Sequence, residues 1–249
     1  MGTPTEQAAI AGALARDARW LADVRVKRAL RGVRRAVKAD RRPCPDEAGK
    51  SFGEIMWSPK PWWCERFYDT LRAVRPGLAL EVGTSLGMTS LYLLAAMARN
   101  RLGRLVTVDV APSKAAYARA LFDAFGADRV TSLLGRSENV LPAVLADTPL
   151  FDWVFVDIDH RYASTVAHWH LLAEHVRPGG YIVFDDINFG NGMRRAWREV
   201  SGQPGFAWTT LHWHDRPEVE ARIGIGQRLP LASAAYPAAA SRVQTEATP

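Results

Sequence analysis

Residues 78–94 read LALEVGTSLGMTSLYLL, and this stretch decides the fold. It begins with apolar residues typical of a buried β-strand, turns at Gly83 and Gly87, and continues as an apolar helix. A glycine turn between a strand and a helix lets a ligand approach the backbone at the helix N-terminus. The stretch therefore predicts one strand–turn–helix unit of an α/β sheet, with a ligand site at the turn.

Further apolar runs repeat this unit along the chain. Strands are predicted at residues 78–83, 105–110, 130–135, 153–157 and 181–185, with segments of helical length and pattern between them. This alternation predicts a doubly wound, Rossmann-like α/β fold, in which helices cover both faces of a mostly parallel sheet. Residues 206–214 and 222–227 have no good helix between them and predict an antiparallel C-terminal hairpin, which makes seven strands.

The two ends of the chain differ from this central part in composition. Residues 1–50 hold 12 Lys and Arg against 6 Asp and Glu, so they carry the whole formal excess of +6. They read as a helix to about residue 40, where Pro43 and Pro45 interrupt the pattern. We predict a basic helical N-terminal segment (1–50), a main α/β domain (51–229) and a disordered tail rich in Ala, Pro, Ser and Thr (230–249).

Several protein classes are excluded by composition. No apolar run reaches the roughly 18 residues that a membrane span needs, and the first twenty residues do not form a secretory signal. Cys44 and Cys64 have no CxxC partner, so we expect free thiols. These observations predict a cytoplasmic protein without a membrane segment.

The turn at residues 81–87 differs from a dinucleotide fingerprint. Glu81 and Ser85 break the GxGxxG spacing, in which a helix end binds a pyrophosphate. S-adenosylmethionine has no phosphate but carries an ammonium, a carboxylate and a sulfonium, so an acidic strand end suits it. Asp109 ends the second strand 22 residues after Gly87, near the spacing of about 20 at which an acid accepts ribose hydroxyls.

Three stretches together resemble the class I S-adenosylmethionine-dependent methyltransferases: LEVGTSLGMTSLYLL (80–94), VDIDHRYASTV (156–166) and RPGGYIVFDDI (177–187). The likeness is strongest to the metal-dependent O-methyltransferases, which include catechol-type enzymes and sugar O-methyltransferases of natural-product pathways. It implies methyl transfer from S-adenosylmethionine to a hydroxyl of a small molecule, and the family suggests a homodimer. The residues expected at the cofactor are Glu81, Gly83, Thr84, Ser85, Gly87, Asp109, Val110, Arg136, Ser137 and Asp157.

Acidic residues end the fourth and fifth predicted strands. If these strands are neighbours, Asp157, Asp185 and Asp186 meet at one edge, where their repulsion calls for a cation. Oxygen ligands favour Mg²⁺, so we predict a magnesium site at these three residues. Asp159 and His160 are the candidate bases, and the sequence does not choose between them. A metal-free enzyme with one of these bases alone is the alternative.

The sequence also bears on three other functions. An RNA methyltransferase could use the basic segment as an anchor, but the rest of the chain has no net charge and no NPPY-like motif. A non-catalytic nucleotide-binding scaffold has no need of the acidic cluster, and the missing GxGxxG disfavours a dehydrogenase. We therefore expect a small-molecule substrate rather than nucleic acid. His168 and His170 lie two apart on a predicted helix and are given no role.

Overall fold

The structure is a computed structural model, and it describes residues 4–56, 61–123, 127–211 and 222–230. Its helices are α1 (Pro4–Ala39), α2 (Pro61–Val74), α3 (Met88–Asn100), α4 (Pro112–Asp123), α5 (Ser137–Asp147), α6 (Tyr162–Leu172) and α7 (Gly190–Ser201). Its strands are β1 (Leu78–Val82), β2 (Arg104–Asp109), β3 (Val130–Leu134), β4 (Phe151–Val156), β5 (Val176–Phe184), β6 (Phe206–Leu211) and β7 (Ile223–Arg228).

The strands form one sheet in the order β3-β2-β1-β4-β5-β7-β6. The first five are parallel, while β7 is antiparallel to both β5 and β6. The predicted doubly wound fold with an antiparallel C-terminal pair is therefore confirmed. Residues 212–214, which the sequence assigns to a strand, lie outside the described residues. Because β1, β4 and β5 are neighbours, their carboxyl ends meet at one edge of the sheet.

The fifth strand begins earlier than the sequence predicts. It starts at Val176 and passes through Pro178, Gly179 and Gly180 before the apolar run begins at Tyr181. Proline and glycine are normally depleted in strands, so the sequence pattern does not indicate the start of β5 before Tyr181. The pairing with β4 shifts register here, and the irregular start lies at the end of the sheet away from the site.

Side chains from alternate strand positions build a core on each face of the sheet. Trp153 and Phe155 pack with Phe67 of α2 on one face. Val154 and Val156 pack on the opposite face, together with residues of α5 and α6. Both faces of the sheet are covered by helices, as the continuous apolar strands predict.

The second half of α1 packs against this body. Leu30 and Val37 are buried in the same core as α2 and α3. Asp23 accepts a hydrogen bond from Tyr68 Oη at 2.7 Å and lies 3.3 Å from Arg72 Nε and 3.2 Å from Arg99 Nε. The helix is as predicted, whereas a separate N-terminal unit at residues 1–50 stays a prediction. Residues 231–249 of the predicted tail lie outside the described residues.

Two smaller expectations concern the cysteines and the membrane. Cys44 and Cys64 are both buried, and neither forms a disulfide. Among the described residues, no helix combines the length and the apolar character that a membrane span requires.

Candidate cofactor and active site

A cavity of about 690 Å³ opens at the carboxyl ends of the parallel strands. This is the size of a small-molecule or cofactor site, and ligands in open α/β sheets bind at this edge. Most of the predicted site residues line it: Gly83, Thr84, Ser85, Asp109, Val110, Arg136, Ser137, Asp157, Asp159, His160 and Asp186. Three predicted residues are not among its lining: Glu81, Gly87 and Asp185.

Gly83 allows the ends of β1 and β4 to approach each other closely. Its φ is 101°, and a Cβ built there would lie 1.7 Å from the carbonyl oxygen of Asp157. Any side chain would therefore force β1 and β4 apart at the floor of the cavity. The glycine is required by the packing of these strand ends, as well as by the approach of a ligand.

Asp109 is held in place at the end of β2. Its Oδ2 accepts a hydrogen bond from the backbone N–H of Ser85 at 2.6 Å, and its Oδ1 accepts one from Ala111 at 2.8 Å. Each carboxylate oxygen has a further lone pair for a ligand hydroxyl. The turn after β1 and the end of β2 thus present one fixed, charged acceptor to the cavity.

Glu81 lies behind the cavity, where the alternation of β1 directs its side chain toward α3. It is fully buried and accepts hydrogen bonds from Ser90 Oγ and, at 2.7 Å, from Thr107 Oγ1. Burial raises the pKa of Glu81 to about 7, although these two hydroxyls oppose the shift. The structure therefore places Glu81 in a buried polar network behind the residues that line the cavity.

Gly87 is also set back from the cavity. It precedes α3 with a φ of 75°, and a Cβ there would lie 2.9 Å from Cε1 of Phe122. Its role in the structure is to turn the chain into α3 and to let α4 pack closely.

His168 is a residue of the cavity to which the sequence assigns no role. Its Nδ1 lies 2.7 Å from the carbonyl oxygen of Ser164, and its Nε2 lies 2.8 Å from Ser137 Oγ. A carbonyl can only accept, so in the neutral ring Nδ1 donates and Nε2 accepts from the Ser137 hydroxyl. His168 thereby orients Ser137, the predicted contact near the adenine.

The acidic residues of β4 and β5 are gathered around one arginine. Arg222 binds Asp185 with two hydrogen bonds, Nε to Oδ1 at 3.0 Å and Nη2 to Oδ2 at 3.2 Å. The same Nε lies 2.6 Å from Asp186 Oδ1. His160 completes the cluster, with its Nε2 3.4 Å from Asp186 Oδ2 and 4.0 Å from Asp157 Oδ1.

The electrostatics of this cluster disfavour three negative charges. Burial, together with the charges of Asp185 and Asp186, raises the pKa of Asp157 well above its ordinary range. Burial also raises the pKa of Asp185, although Arg222 opposes the shift. The carboxylates therefore need a positive partner, and the guanidinium of Arg222 is one.

A magnesium ion does not fit the carboxylates in this arrangement. Mg²⁺ requires oxygen ligands at about 2.0–2.1 Å in near-octahedral geometry. Both oxygens of Asp185 face Arg222, while those of Asp186 face Arg222 and His160. Over the ranges that the structure describes, no group of three or more His, Cys, Asp or Glu side chains is disposed to hold a metal. The predicted site at Asp157, Asp185 and Asp186 brings the residues together without the geometry of a metal site.

Three residues of the cavity have a left-handed backbone without being glycine. They are Ser85 (φ 47°), His160 (φ 52°) and Asp186 (φ 51°). Such conformations cost on the order of 1–3 kcal/mol and persist where the surroundings enforce them, often at functional sites. Their concentration at one cavity supports a functional role for this edge of the sheet.

The two candidate bases differ in their surroundings. Asp159 accepts a hydrogen bond from Ser164 Oγ and lies 3.7 Å from Arg161 Nε, with half of its side chain exposed. His160 faces the acidic cluster, and its ring centroid lies 5.2 Å from that of Phe189. His160 thus has a carboxylate partner at one ring nitrogen, whereas Asp159 is already engaged at the start of α6.

Comparisons with known proteins point to one family. Residues 80–187 match the model of a family described as a methyltransferase domain. A catechol O-methyltransferase of Niastella koreensis is 31% identical over 110 residues, which are 43% of this chain and 48% of that protein. The chain spans about half the length of the curated relatives it matches.

Solved structures show the same fold. The O-methyltransferase TomG of Streptomyces achromogenes, solved with S-adenosylmethionine, superposes with a TM-score of 0.61 at 22% identity, over 70% of this chain and 82% of that one. An O-methyltransferase of Bacillus cereus in complex with SAH gives 0.62 at 20% identity, over 82% and 90%. The resemblance that the sequence motifs indicate is confirmed, since residues 80–187 match a methyltransferase domain and the solved methyltransferases share the fold.

Proposed function

We propose that the protein is an S-adenosylmethionine-dependent O-methyltransferase that methylates a hydroxyl of a small molecule. The observation that carries the proposal is a single cavity with a fixed acceptor, Asp109, on one side and a histidine facing carboxylates, His160, on the other. The first suits a nucleoside ribose, and the second suits a hydroxyl that must lose its proton. The names of the relatives, several of them O-methyltransferases, support the same reaction.

The cofactor is bound by the ends of β1, β2 and β3. The ribose hydroxyls donate hydrogen bonds to Asp109, and Ser137, oriented by His168, lies at the adenine. The methionine part extends from the Gly83 turn toward the end of β4. This orientation directs the sulfonium methyl group to the part of the cavity that His160 lines.

The residues at the ends of β4 and β5 serve the acceptor hydroxyl. Its oxygen attacks the methyl carbon, the carbon–sulfur bond breaks, and the sulfur leaves as a neutral thioether, so no general acid is needed. His160 accepts the hydroxyl proton through Nδ1, while Nε2 faces Asp186, which stabilises the resulting imidazolium. Proximity of the two reactants within one cavity supplies the remaining acceleration.

Assistance by magnesium is the alternative that the sequence motifs indicate. It requires Asp185 and Asp186 to leave Arg222 and turn their oxygens toward Asp157, with the acceptor hydroxyl as a further ligand. A bound Mg²⁺ would then lower the pKa of that hydroxyl. The arrangement of Arg222 favours the protein base, whereas stoichiometric binding of a divalent cation by the wild-type protein would favour the metal.

A small molecule is the substrate class that the charges favour. Two basic residues of α1, Lys27 and Arg31, form ion pairs with Asp69 and Glu65 of α2, which leaves less free charge for a nucleic acid. A phenol fits the catechol O-methyltransferase among the relatives, while a sugar of a natural-product pathway stays a prediction of the sequence motifs. An RNA substrate would instead show binding that weakens steeply with salt. Assembly as a homodimer stays a prediction.

Replacing Asp109 tests the cofactor site directly. We expect Asp109→Ala to weaken S-adenosylmethionine binding about 10- to 100-fold in calorimetric titration, because hydrogen bonds to a charged group contribute roughly 1.5–3 kcal/mol. Asp147→Ala, an exposed acid at the end of α5, is the matched control and should bind like the wild type. Unchanged affinity in Asp109→Ala, or tighter binding of NAD than of S-adenosylmethionine by the wild type, would contradict the assignment.

A further inference from the structure

We propose that Arg222 occupies the electrostatic position of a divalent cation in the acidic cluster and positions Asp186 against His160. The inference rests on the proposed function for its catalytic meaning, but its central claim concerns ion binding and can be tested without turnover. It predicts that the wild-type cluster binds no divalent cation, and that removing Arg222 creates a cation site.

The guanidinium makes the contacts that a shared cation would make. It binds Asp185 through two hydrogen bonds and reaches Asp186 with the same Nε. The Asp185 side chain is 1% exposed and that of Arg222 is 25% exposed, so water screens this pair little. Arginine suits the position because its planar fork matches a carboxylate and keeps its charge at any physiological pH.

The backbone of Arg222 is held at this place by the sheet, in addition to the contacts of its side chain. Arg222 immediately precedes β7, and its carbonyl oxygen accepts a hydrogen bond from the backbone N–H of Ile187 at 2.9 Å. The antiparallel pairing of β7 with β5 places Gly224 opposite Phe184, the last residue of β5. The insertion of β7 beside β5 therefore brings a cation to the strand end that carries two adjacent aspartates.

Arg222 and a metal ion would compete for the same oxygens. The guanidinium of Arg222 and Nε2 of His160 face the carboxylate oxygens of Asp185 and Asp186 that a divalent cation would need as ligands. Because Asp186 is bonded to Arg222 through Oδ1, its Oδ2 is held toward His160 Nε2. Arg222 thus acts through Asp186, as a positioning residue behind the cavity wall.

Mn²⁺ is a suitable probe because its binding can be followed by electron paramagnetic resonance without substrate. We expect the wild-type protein to show no stoichiometric Mn²⁺ site. Arg222→Ala should gain one, with an apparent Mn²⁺ affinity about 10- to 100-fold above the residual binding of wild type, since it frees oxygens now in charge-assisted hydrogen bonds. Arg222→Lys should stay without a site because it keeps the positive charge. Adding Asp186→Asn to Arg222→Ala should abolish the gained binding.

The matched control is Arg177→Ala, which removes an arginine bound to Asp152 at the opposite end of the sheet and should leave Mn²⁺ binding as in wild type. Stoichiometric Mn²⁺ binding by the wild type would overturn the proposal, and so would a folded Arg222→Ala that gains no site. If circular dichroism shows that Arg222→Ala is unfolded, Arg222→Gln takes its place with the same expected gain. S-adenosylmethionine affinity, measured on the same samples, reports separately on the proposed function.

Discussion

His160→Ala is expected to lower kcat for methyl transfer by about 10²–10⁴-fold, the range that a positioned base supplies. The imidazole is the side chain of the cavity that combines a carboxylate partner, Asp186 at 3.4 Å, with a strained backbone. S-adenosylmethionine affinity should change little, because the cofactor contacts lie at the ends of β1, β2 and β3. Steady-state kinetics with a small-molecule hydroxyl acceptor, alongside calorimetric titration of the cofactor, measures both quantities.

Asp159→Ala is the matched comparison for this prediction. Asp159 lines the same cavity but is bound to Ser164 and lies near Arg161, so its loss should slow turnover by less than about tenfold. A larger loss in Asp159→Ala than in His160→Ala would transfer the role of base to Asp159. Near-normal kcat in both variants would show that neither side chain removes the proton.

The fold could be predicted because its signals are local. Each parallel strand is a short apolar run followed by a polar tip, and doubly wound topology then brings those tips to one edge. Gly83, Asp109 and Asp157 could therefore be assigned to one site before any distance was known. The starts of the strands were less predictable, as Pro178 and Gly179 within β5 show.

Arg222 could not be assigned from the sequence for the opposite reason. It lies 36 residues after Asp186, beyond a helix and another strand, and only the order of strands at the sheet edge connects the two. The carboxylates indicated that a positive charge was needed, but not which one. Sequence motifs suggest a metal, whereas the antiparallel insertion of β7 supplies a guanidinium.

Side-chain direction was the other missing information. Glu81 stands at a strand end, where the pattern suggests contact with the ligand, yet the alternation of β1 directs it toward α3. His168 was assigned no role because its partners are a carbonyl four residues earlier and a serine on another element. In both cases the residue type was visible in the sequence, but its partners depend on packing.

The buried carboxyl of Glu81 should make folding stability depend on pH. Burial raises its pKa from an ordinary 4.5 to about 7, so between these values the folded state holds a proton that the unfolded state releases. The stabilising contribution is complete below about pH 4.5 and is lost as the pH rises through 7. A shift of this size corresponds to about 3 kcal/mol in the free energy of unfolding.

Glu81→Gln should remove this dependence, because the amide fills the same space and does not ionise. When the pH is raised from 5 to 8, we expect the unfolding free energy of wild type to fall by about 2 kcal/mol relative to that of the variant. Both are measured by urea unfolding without cofactor. Subtracting the two proteins at each pH cancels the contributions of the other titrating groups. Glu174→Gln, at an exposed glutamate, is the control and should follow wild type at both pH values.

If Glu81→Gln and wild type show the same change between pH 5 and 8, Glu81 does not carry a raised pKa. Its network with Ser90 and Thr107 would then hold an ionised carboxylate.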